Sequence, residues 1–353
     1  MKINMKKLMN LCIIAILFTL GACSKNGENP QPEETLLPKL KANVQPASSN
    51  LAAGKLVVGY VPGWKNVQGV IDNSDLNVLT HLNIAFFSPN TSGQMMVNGN
   101  PASSDASTVE INYVVTQGHQ HGVKVLASFS GGKIPDGSGN LVTLLQSPNR
   151  SVLVANIVSF LNFYNLDGID VDIEGQTLQT VKTAGTYTLF VQELRAALQP
   201  LGKLVTCATL PYTNGMIPVN SFPYFDYIHI MSYDNNWGGT GNHSLYSDAL
   251  VHIKKFLDLN CPASKLTLGV PFYGYQGAIG LTPGVPFRDI VALDTLNAYQ
   301  DTYLAYKYNG IPSIKAKTRY AKQHIAGVMI WDLEKDAVGK FSLLKAIGEE
   351  IAP

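Results

Sequence analysis

The chain has few charged residues and no excess of either sign. Charged side chains make up only 14% of its 353 residues, and 26 basic against 25 acidic residues leave a net charge of +1. No block of like charge could follow a phosphate backbone, so nucleic acid is not an expected partner. The 46% hydrophobic content excludes a disordered protein. The 31 glycines and 19 prolines indicate a large core crossed by many turns, as in an enzyme-sized barrel or sandwich.

Cysteine is also scarce, and the four that occur do not indicate a disulfide framework. Two lie in the N-terminal segment, Cys207 lies in an apolar run and Cys261 lies beside a proline. Among the seven histidines only His119 and His121 form a close pair, without an acidic or cysteine partner at the spacing of metal ligands. We therefore expect neither a metal nor a cofactor.

The N-terminal segment has the pattern of a secretory signal. Three lysines precede the apolar run from Leu11 to Leu20, which is too short to span a bilayer. Leu20-Gly21-Ala22-Cys23 resembles the bacterial lipobox, in which cleavage precedes a cysteine that then carries lipid. We expect removal of residues 1–22, lipidation of Cys23, and export to a bacterial envelope membrane, including the cell surface, with the lipid as the only membrane contact. A plain signal peptide is the alternative.

Residues 23–54 predict a flexible tether. They contain four prolines among polar side chains and have few apolar residues to bury. The globular part therefore begins at residue 55.

From Lys55 onward, short apolar runs alternate with helical patterns. Eight runs are apolar on both faces, as strands of a doubly covered parallel sheet require, and they are 56–61, 79–87, 123–129, 168–173, 204–210, 227–233, 266–272 and 325–331. Right-handed crossovers leave few arrangements for eight such strands. The sequence therefore predicts an α/β fold, a closed (β/α)₈ TIM barrel over residues 55–353, with a doubly wound open sheet as the alternative. The long, glycine- and proline-rich interval 275–324 predicts a small inserted subdomain between strands seven and eight.

The segment from Asp167 to Glu174 carries the clearest chemical signal. Alternate side chains of a strand share a face, so Asp170, Asp172 and Glu174 lie about 7 Å apart on one face, and aliphatic residues lie on the other. A solvated antiparallel strand is the alternative, but the neighbouring runs have no polar face. Inside a barrel, crowded carboxyl groups keep at least one of their number protonated, as general-acid cleavage requires. Glu174, nearest the end where barrel active sites open, is the candidate acid.

These residues resemble the Asp-Gly-x-Asp-x-Asp-x-Glu motif of glycoside hydrolase family 18, the chitinase-like family, which Asp167-Gly168-Ile169-Asp170-Val171-Asp172-Ile173-Glu174 matches in full. The resemblance extends over nearly the whole barrel. The other matching segments are Gly59-Tyr60, 124–131, Met231-Ser232-Tyr233-Asp234, 269–274 and 327–331. The third strand departs from the family's Ser-x-Gly-Gly, since Ser130 stands at the first glycine position.

The resemblance implies retaining, substrate-assisted hydrolysis of a glycosidic bond. Glu174 would protonate the leaving oxygen while the substrate's own 2-acetamido oxygen attacks the anomeric carbon to form an oxazolinium ion. Asp172 would bind the acetamido N–H and share a proton with Asp170 in the empty site. Tyr233 would donate to the acetamido oxygen, and Asp234 would help to place the distorted sugar.

Aromatic residues are candidate sugar platforms. Trp64, Trp237 and Trp331 all lie at or just beyond the ends of predicted strands, and indole rings suit the apolar faces of sugars. Trp331 matches the family's cleft-floor tryptophan, whereas loop packing explains the other two equally well. His229 faces inward and is expected to be a hydrogen-bonded core residue. Tyr60 and Ser128 would support Asp170. Met231, Phe86 and Tyr273 are candidates for the cleft, with core packing as the alternative.

The expected substrate is therefore a β-1,4-linked N-acetylglucosamine chain, either chitin or a chito-oligosaccharide. An endo-β-N-acetylglucosaminidase that cuts the chitobiose core of N-glycans would use the same acid. A sugar-binding barrel without hydrolysis is a third hypothesis, which the presence of Glu174 disfavours. The Met-Ser-Tyr-Asp sequence and the insertion, which we expect to wall a cleft for a linear chain, favour chitin.

Overall fold

The computed structural model describes residues 54–97 and 106–352. The predicted signal peptide, Cys23 and all of the predicted tether except Gly54 lie outside the described residues. Within those two ranges, no helix combines the length and apolar character that crossing a bilayer requires.

Eight parallel strands close into a barrel, which confirms the predicted α/β fold and excludes the open sheet. They are β1 (Leu56–Pro62), β2 (His81–Phe87), β3 (Lys124–Gly131), β4 (Gly168–Ile173), β5 (Leu204–Thr209), β6 (Tyr227–Ile230), β7 (Leu266–Pro271) and β12 (Gly327–Trp331). Their order around the barrel is β1-β12-β7-β6-β5-β4-β3-β2. Each of the eight overlaps one predicted apolar run.

Helices surround the barrel. They are α1 (Val67–Asp72), α2 (Thr108–Gln120), α3 (Leu141–Leu144), α4 (Asn149–Phe163), α5 (Gly175–Thr183), α6 (Thr186–Leu198), α7 (Tyr246–Asp258), α8 (Phe287–Leu293), α9 (Ile311–His324) and α10 (Leu343–Ile351). Local sequence sets their ends. For example, Ser107 and Glu110 form a reciprocal capping box that begins α2.

The alternation along β4 separates two apolar cores. Ile169, Val171 and Ile173 point outward into the core between strands and helices, where they are at most 1% exposed. A second, smaller core fills the barrel interior and includes Tyr60, Ala208, Met231, Tyr233 and Met329. The opposite face of β4 therefore turns its carboxyl groups into the barrel, as predicted.

The segment between β7 and β12 contains two short hairpins and two helices. The hairpins pair β8 (Tyr273–Gly274) with β9 (Val285–Pro286), and β10 (Thr302–Tyr303) with β11 (Tyr306–Lys307). The last helix, α9, packs against β7 and β12 as a crossover helix of the barrel. The predicted insertion of 275–324 therefore includes a barrel helix, and the inserted part ends before α9.

Asp167, the first acid of the motif, stabilises the amino-terminal end of β4 through hydrogen bonds. Its carboxylate accepts hydrogen bonds from Lys124 Nζ at 2.8 Å, His119 Nε2 at 2.7 Å and the Val125 N–H at 2.9 Å. These contacts tie α2 and β3 to β4. Asp167 is thus a structural residue at the opposite end of the strand from Glu174.

Candidate active site

A cleft of about 1000 Å³ opens beyond the carboxyl ends of the strands. This volume is at the upper end of the range for ligand pockets, and the location is the usual one for a barrel active site. Asp172, Glu174, Tyr233 and Asp234 all line the cleft. The structure thus brings together four of the residues that the sequence singled out.

Glu174 follows β4 and precedes the first residue of α5. A Cβ added at Gly132 would lie 3.0 Å from Glu174 Oε1, so the missing side chain at residue 132 leaves space for the carboxyl group. Burial, with the charge of Asp234 as the second cause, raises the pKa of Glu174 to about 7. A carboxyl group that faces a cleft and keeps its proton near neutral pH has the properties of a general acid.

Asp172 lies deeper than Glu174 and is only 3% exposed. Burial, followed by the charges of Glu174 and Asp170, raises the pKa of Asp172 well above its usual value. Its Oδ1 is buried and has no hydrogen-bond partner among the described residues. Because buried acceptors are almost always paired, this atom is available to an N–H group of a ligand.

Asp170 lies below the cleft and is fully buried. Tyr60 and Ser128 donate hydroxyl hydrogen bonds to Oδ2 at 2.6 and 2.7 Å, and Thr206 donates to Oδ1 at 2.7 Å. Three donated hydrogen bonds stabilise the negative charge of a carboxylate. The contacts of Tyr60 and Ser128 are those that the resemblance implied, whereas Thr206 was not predicted.

His229 is the inward-facing core histidine that the sequence predicted. Its Nδ1 lies 2.7 Å from Thr267 Oγ1, and its Nε2 lies 3.8 Å from Asp170 Oδ1. Burial lowers the pKa of His229, which favours the neutral ring. The residue does not line the cleft.

Tyr233 and Asp234 present opposite hydrogen-bonding groups. The Tyr233 hydroxyl donates to Met329 Sδ at 3.9 Å, and the described part of the chain offers it no other acceptor. Sulfur is a weak acceptor, so this proton remains available to a ligand. Asp234 Oδ1 accepts from Tyr273 Oη at 2.7 Å and from Tyr275 Oη at 3.1 Å.

Aromatic rings form one wall of the cleft. Trp64 stacks on Phe86 with ring centroids 5.9 Å apart, and Phe86 stacks on Trp331 at 5.6 Å. Trp237 also lines the cleft and is 66% exposed. Its indole ring packs over Gly280, where an added Cβ would lie 2.3 Å from the ring. All three tryptophans therefore present surface to a ligand.

The chain matches the model of Glycosyl hydrolases family 18 over residues 56–336. The chain belongs to this family. A similar solved structure is the family 18 chitinase ChiB from the chitin utilization locus of Flavobacterium johnsoniae. It is 32% identical in sequence with a TM-score of 0.75, and the match covers 85% of this chain and 94% of the ChiB chain. A chitinase structure from Bacteroides thetaiotaomicron is 28% identical in sequence with a TM-score of 0.73. This match covers 84% of this chain and 96% of that chitinase chain.

A relative found by sequence is Probable chitinase 10 of Drosophila melanogaster. It is 23% identical over 84% of this chain, and the chain spans only 16% of that protein's length. The family match and the two bacterial structures identify the chain as a chitinase-like glycoside hydrolase of family 18.

Within this family 18 site, some predicted residues lie behind the cleft wall. Tyr273 was a candidate for the cleft but does not line it, and its hydroxyl group donates to Asp234. Ser128, expected among the residues around the substrate as a support of Asp170, also lies behind the wall and donates to Asp170. Met231 and Phe86 do line it. The lining residues that were not predicted are Gly132, Lys133, Ile134, Pro135, Asp136, Ala208, Leu210, Tyr212 and Asn236. Ala208 and Leu210 share the inward alternation of Thr206 and could have been found from it.

The expectation that the insertion walls the cleft was wrong. None of residues 275–324, all of which are described, lines it. The insertion instead supports lining residues from outside, since Tyr275 binds Asp234 and Gly280 lies under Trp237.

Ser130, the departure from the family motif, lies at the end of β3. Its φ is +85°, in the left-handed region where glycine is favoured, and its side chain is buried beside the Asp172 register position. The turn therefore keeps a glycine-like backbone with a serine in place. Glycine adopts this φ readily, so the substitution Ser130→Gly is compatible with the same path of the chain.

Metal-ligating side chains do not cluster in the described ranges. No group of three or more histidine, cysteine, aspartate or glutamate side chains there is arranged to hold a metal ion. Cys207 and Cys261 are buried free thiols.

Proposed function

We propose that the protein hydrolyses β-1,4-linked N-acetylglucosamine chains, with retention of configuration and with the substrate's acetamido group as the nucleophile. One observation carries this proposal. Asp172 offers a buried acceptor without a partner, and Tyr233 offers a donor whose partner is only a sulfur atom. An acetamido group has one N–H donor and one carbonyl acceptor, so the pair is complementary to it.

The proposed reaction proceeds in two steps. Glu174 donates its proton to the glycosidic oxygen, the bond from that oxygen to the anomeric carbon breaks, and the acetamido oxygen bonds to the same carbon. Asp172 accepts the acetamido N–H and stabilises the positive charge of the resulting oxazolinium ion. Water then gives a proton to the Glu174 carboxylate, and its oxygen bonds to the anomeric carbon. The bond from that carbon to the acetamido oxygen breaks, which reopens the oxazolinium ring and restores the acid.

The contacts of the two aspartates disfavour Asp172 as a direct nucleophile. Three hydroxyl groups stabilise the charge on Asp170, whereas burial and neighbouring charges raise the pKa of Asp172. A raised pKa favours the protonated form of Asp172, and a protonated carboxyl group is a poor nucleophile. This supports the substrate's acetamido group as the nucleophile.

Product analysis tests this proposal. Chito-oligosaccharides and a high-mannose glycopeptide are incubated separately with the protein, and proton NMR follows the anomer that forms first. We expect shorter chito-oligosaccharides with the β-anomer first. Release of glycan alone would establish the endo-β-N-acetylglucosaminidase instead, and binding without cleavage of either substrate would establish a sugar-binding barrel.

The pH dependence should follow the proton on Glu174. Because the acid must be protonated to donate and its pKa is about 7, kcat/KM is expected to fall about tenfold per unit of pH above 7. In Asp234→Asn the loss of the nearby charge lowers the pKa of Glu174, so the alkaline limb moves to lower pH. Rates on an aryl chitobioside between pH 5 and 9 measure both profiles, and identical limbs in the two proteins would contradict the assignment.

We also propose that the protein is exported and held at an envelope membrane by lipid on Cys23. The Leu20-Gly21-Ala22-Cys23 sequence supports this proposal. Cys23→Ala is expected to move the protein from the membrane fraction to the soluble fraction of the expressing bacterium. Cys207→Ala, which changes a buried thiol of the barrel, is the control and should leave the protein with the membrane. Unchanged fractionation of Cys23→Ala would exclude lipidation at this residue.

A further inference from the structure

Asp234 lines the cleft, and its carboxylate is held on one side only. The hydroxyl groups of Tyr273 and Tyr275 donate to Oδ1, and Nδ1 of His243 lies 3.0 Å from the same oxygen. All three contacts end on Oδ1, and no side chain or backbone group of the described residues bonds to Oδ2. The Asp234 side chain keeps 28% of its surface exposed. One oxygen is therefore fixed by the protein, and the other is left for a ligand.

His243 is the central member of this cluster and is fully buried. Its Nε2–H donates to the carbonyl oxygen of Tyr273 at 3.1 Å, which fixes a proton on Nε2. Nδ1 then has two roles. As an acceptor it binds the Asp234 N–H at 3.2 Å, and as a donor it binds Oδ1 at 3.0 Å. Through either contact His243 connects Asp234 to β8.

A second layer of buried polar groups holds the loop that carries His243. Lys317 Nζ, on α9, donates to the Ser244 carbonyl at 2.6 Å, to Ser244 Oγ at 2.7 Å and to Asn309 Oδ1 at 2.6 Å. Ser244 Oγ in turn donates to the Ser232 carbonyl at 2.7 Å. The residue after His243 is thus bonded to the segment that follows β6 and to a barrel helix. This leaves the imidazole little freedom to move.

We propose that His243 is a positioning residue, which fixes the Asp234 carboxylate so that Oδ2 faces the cleft as the acceptor for a hydroxyl group of the sugar at the scissile bond. The inference rests on the proposed function. It adds a residue that touches no substrate and acts through Asp234. A fixed acceptor favours the reacting geometry, because a displacement of about 1 Å in a site can cost about 10²-fold in rate.

The position of Asp234 also affects the acid. Its charge is the second cause, after burial, of the raised pKa of Glu174. The titratable groups that face Asp234 are Glu174, Tyr233, Tyr273, Tyr275 and His243. When the carboxylate turns away from its position, the pKa of Glu174 falls, and the alkaline limb of the rate profile moves to lower pH.

Two variants of His243 separate positioning from packing. The side-chain amide of Asn reaches the place of Nδ1, and that of Gln reaches the place of Nε2, so each variant keeps the contacts on one side of the ring and loses those on the other. His243→Asn keeps the contact to Asp234, because its amide can either donate to Oδ1 or accept from the Asp234 N–H, and it is expected to retain kcat within about threefold. His243→Gln keeps only the contact to the Tyr273 carbonyl and is expected to lose about tenfold or more in kcat, with its alkaline limb at lower pH. In an Asp234→Asn background, His243→Gln should cost little more.

A crystal structure of His243→Gln completes the test independently of activity. We expect the Asp234 carboxylate to be displaced from the Tyr273 hydroxyl. An unmoved carboxylate, or equal rates for the Asn and Gln variants, would overturn the inference. If the wild-type protein cleaves neither substrate, the proposed function fails, while the position of Asp234 in the variant still decides this inference.

His81→Gln is the matched control. His81 is also a buried imidazole, bonded to Thr80 Oγ1 at 2.8 Å, but it lies at the amino-terminal end of β2, away from the cleft. Its replacement removes a buried histidine without touching Asp234. The folded fraction of this variant should keep the wild-type kcat and pH profile.

Discussion

Glu174→Gln is expected to lower kcat on chito-oligosaccharides by about 10²–10⁴-fold, the usual contribution of a positioned general acid. Gln has nearly the size of Glu but has no proton to give to the leaving oxygen. Because the pKa of Glu174 is about 7, the group is largely protonated below that pH, and there the neutral amide should leave ligand affinity almost unchanged. Steady-state rates and calorimetric titration with an uncleaved oligosaccharide measure the two effects separately.

Asp167→Asn is the control for this experiment. It alters an acid of the same motif at the far end of β4, where the carboxylate binds Lys124, His119 and the Val125 backbone. This variant should be less stable and yet turn over normally once folded. Turnover of Glu174→Gln within a fewfold of wild type would refute the acid assignment.

Asp172→Asn is expected to lower kcat by about 10²–10³-fold, comparable to the removal of one group that stabilises charge in a transition state. Asn is the same size, but it cannot carry the negative charge that stabilises the oxazolinium ion. Its amide nitrogen can also face the acetamido N–H, which puts two donors together. Rates on chito-oligosaccharides give the size of the loss.

Two ligands distinguish this role from general damage to the cleft. A thiazoline analogue of the oxazolinium ion should bind Asp172→Asn about 10²-fold more weakly, whereas chitobiose should bind within a fewfold of wild type. Equal weakening for both ligands would show that Asp172 does not act selectively on the charged intermediate.

The acids of β4 could be predicted because their pattern is local. Residues two apart on a strand share a face whatever the rest of the chain does, so Asp170, Asp172 and Glu174 were placed together from the sequence. Tyr60 and Ser128 came from other strands and were assigned only through the family resemblance. Thr206 follows the inward alternation of β5, but its meeting with Asp170 depends on the barrel register, in which the two residues are directly paired.

His243 and Tyr275 were missed for a different reason. Both lie outside the barrel strands, and neither belongs to a repeating apolar pattern. Their distance from Asp234 is set by the path of the backbone between elements. No spacing rule predicts that two segments from different crossovers meet at one carboxylate oxygen.

The limits of the insertion were misjudged because α9 has an unusual buried face. Its buried positions are Ile311, Ile314, Lys317, Thr318 and Ala321, which have helical spacing. Lys and Thr at two of these positions interrupt the apolar pattern that identifies a barrel helix. Lys317 is tolerated there because three oxygen atoms accept its hydrogen bonds.

The placement of the tryptophans has a practical consequence. The chain contains three, and all three line the cleft. Its intrinsic fluorescence therefore has no background from indoles buried elsewhere, and every emitting ring is in a position to sense an arriving sugar. A change in the emission spectrum should therefore report binding of a sugar in the cleft without an added label. Single replacement of Trp64, Trp237 or Trp331 by Phe would show which part of the cleft binds sugar first.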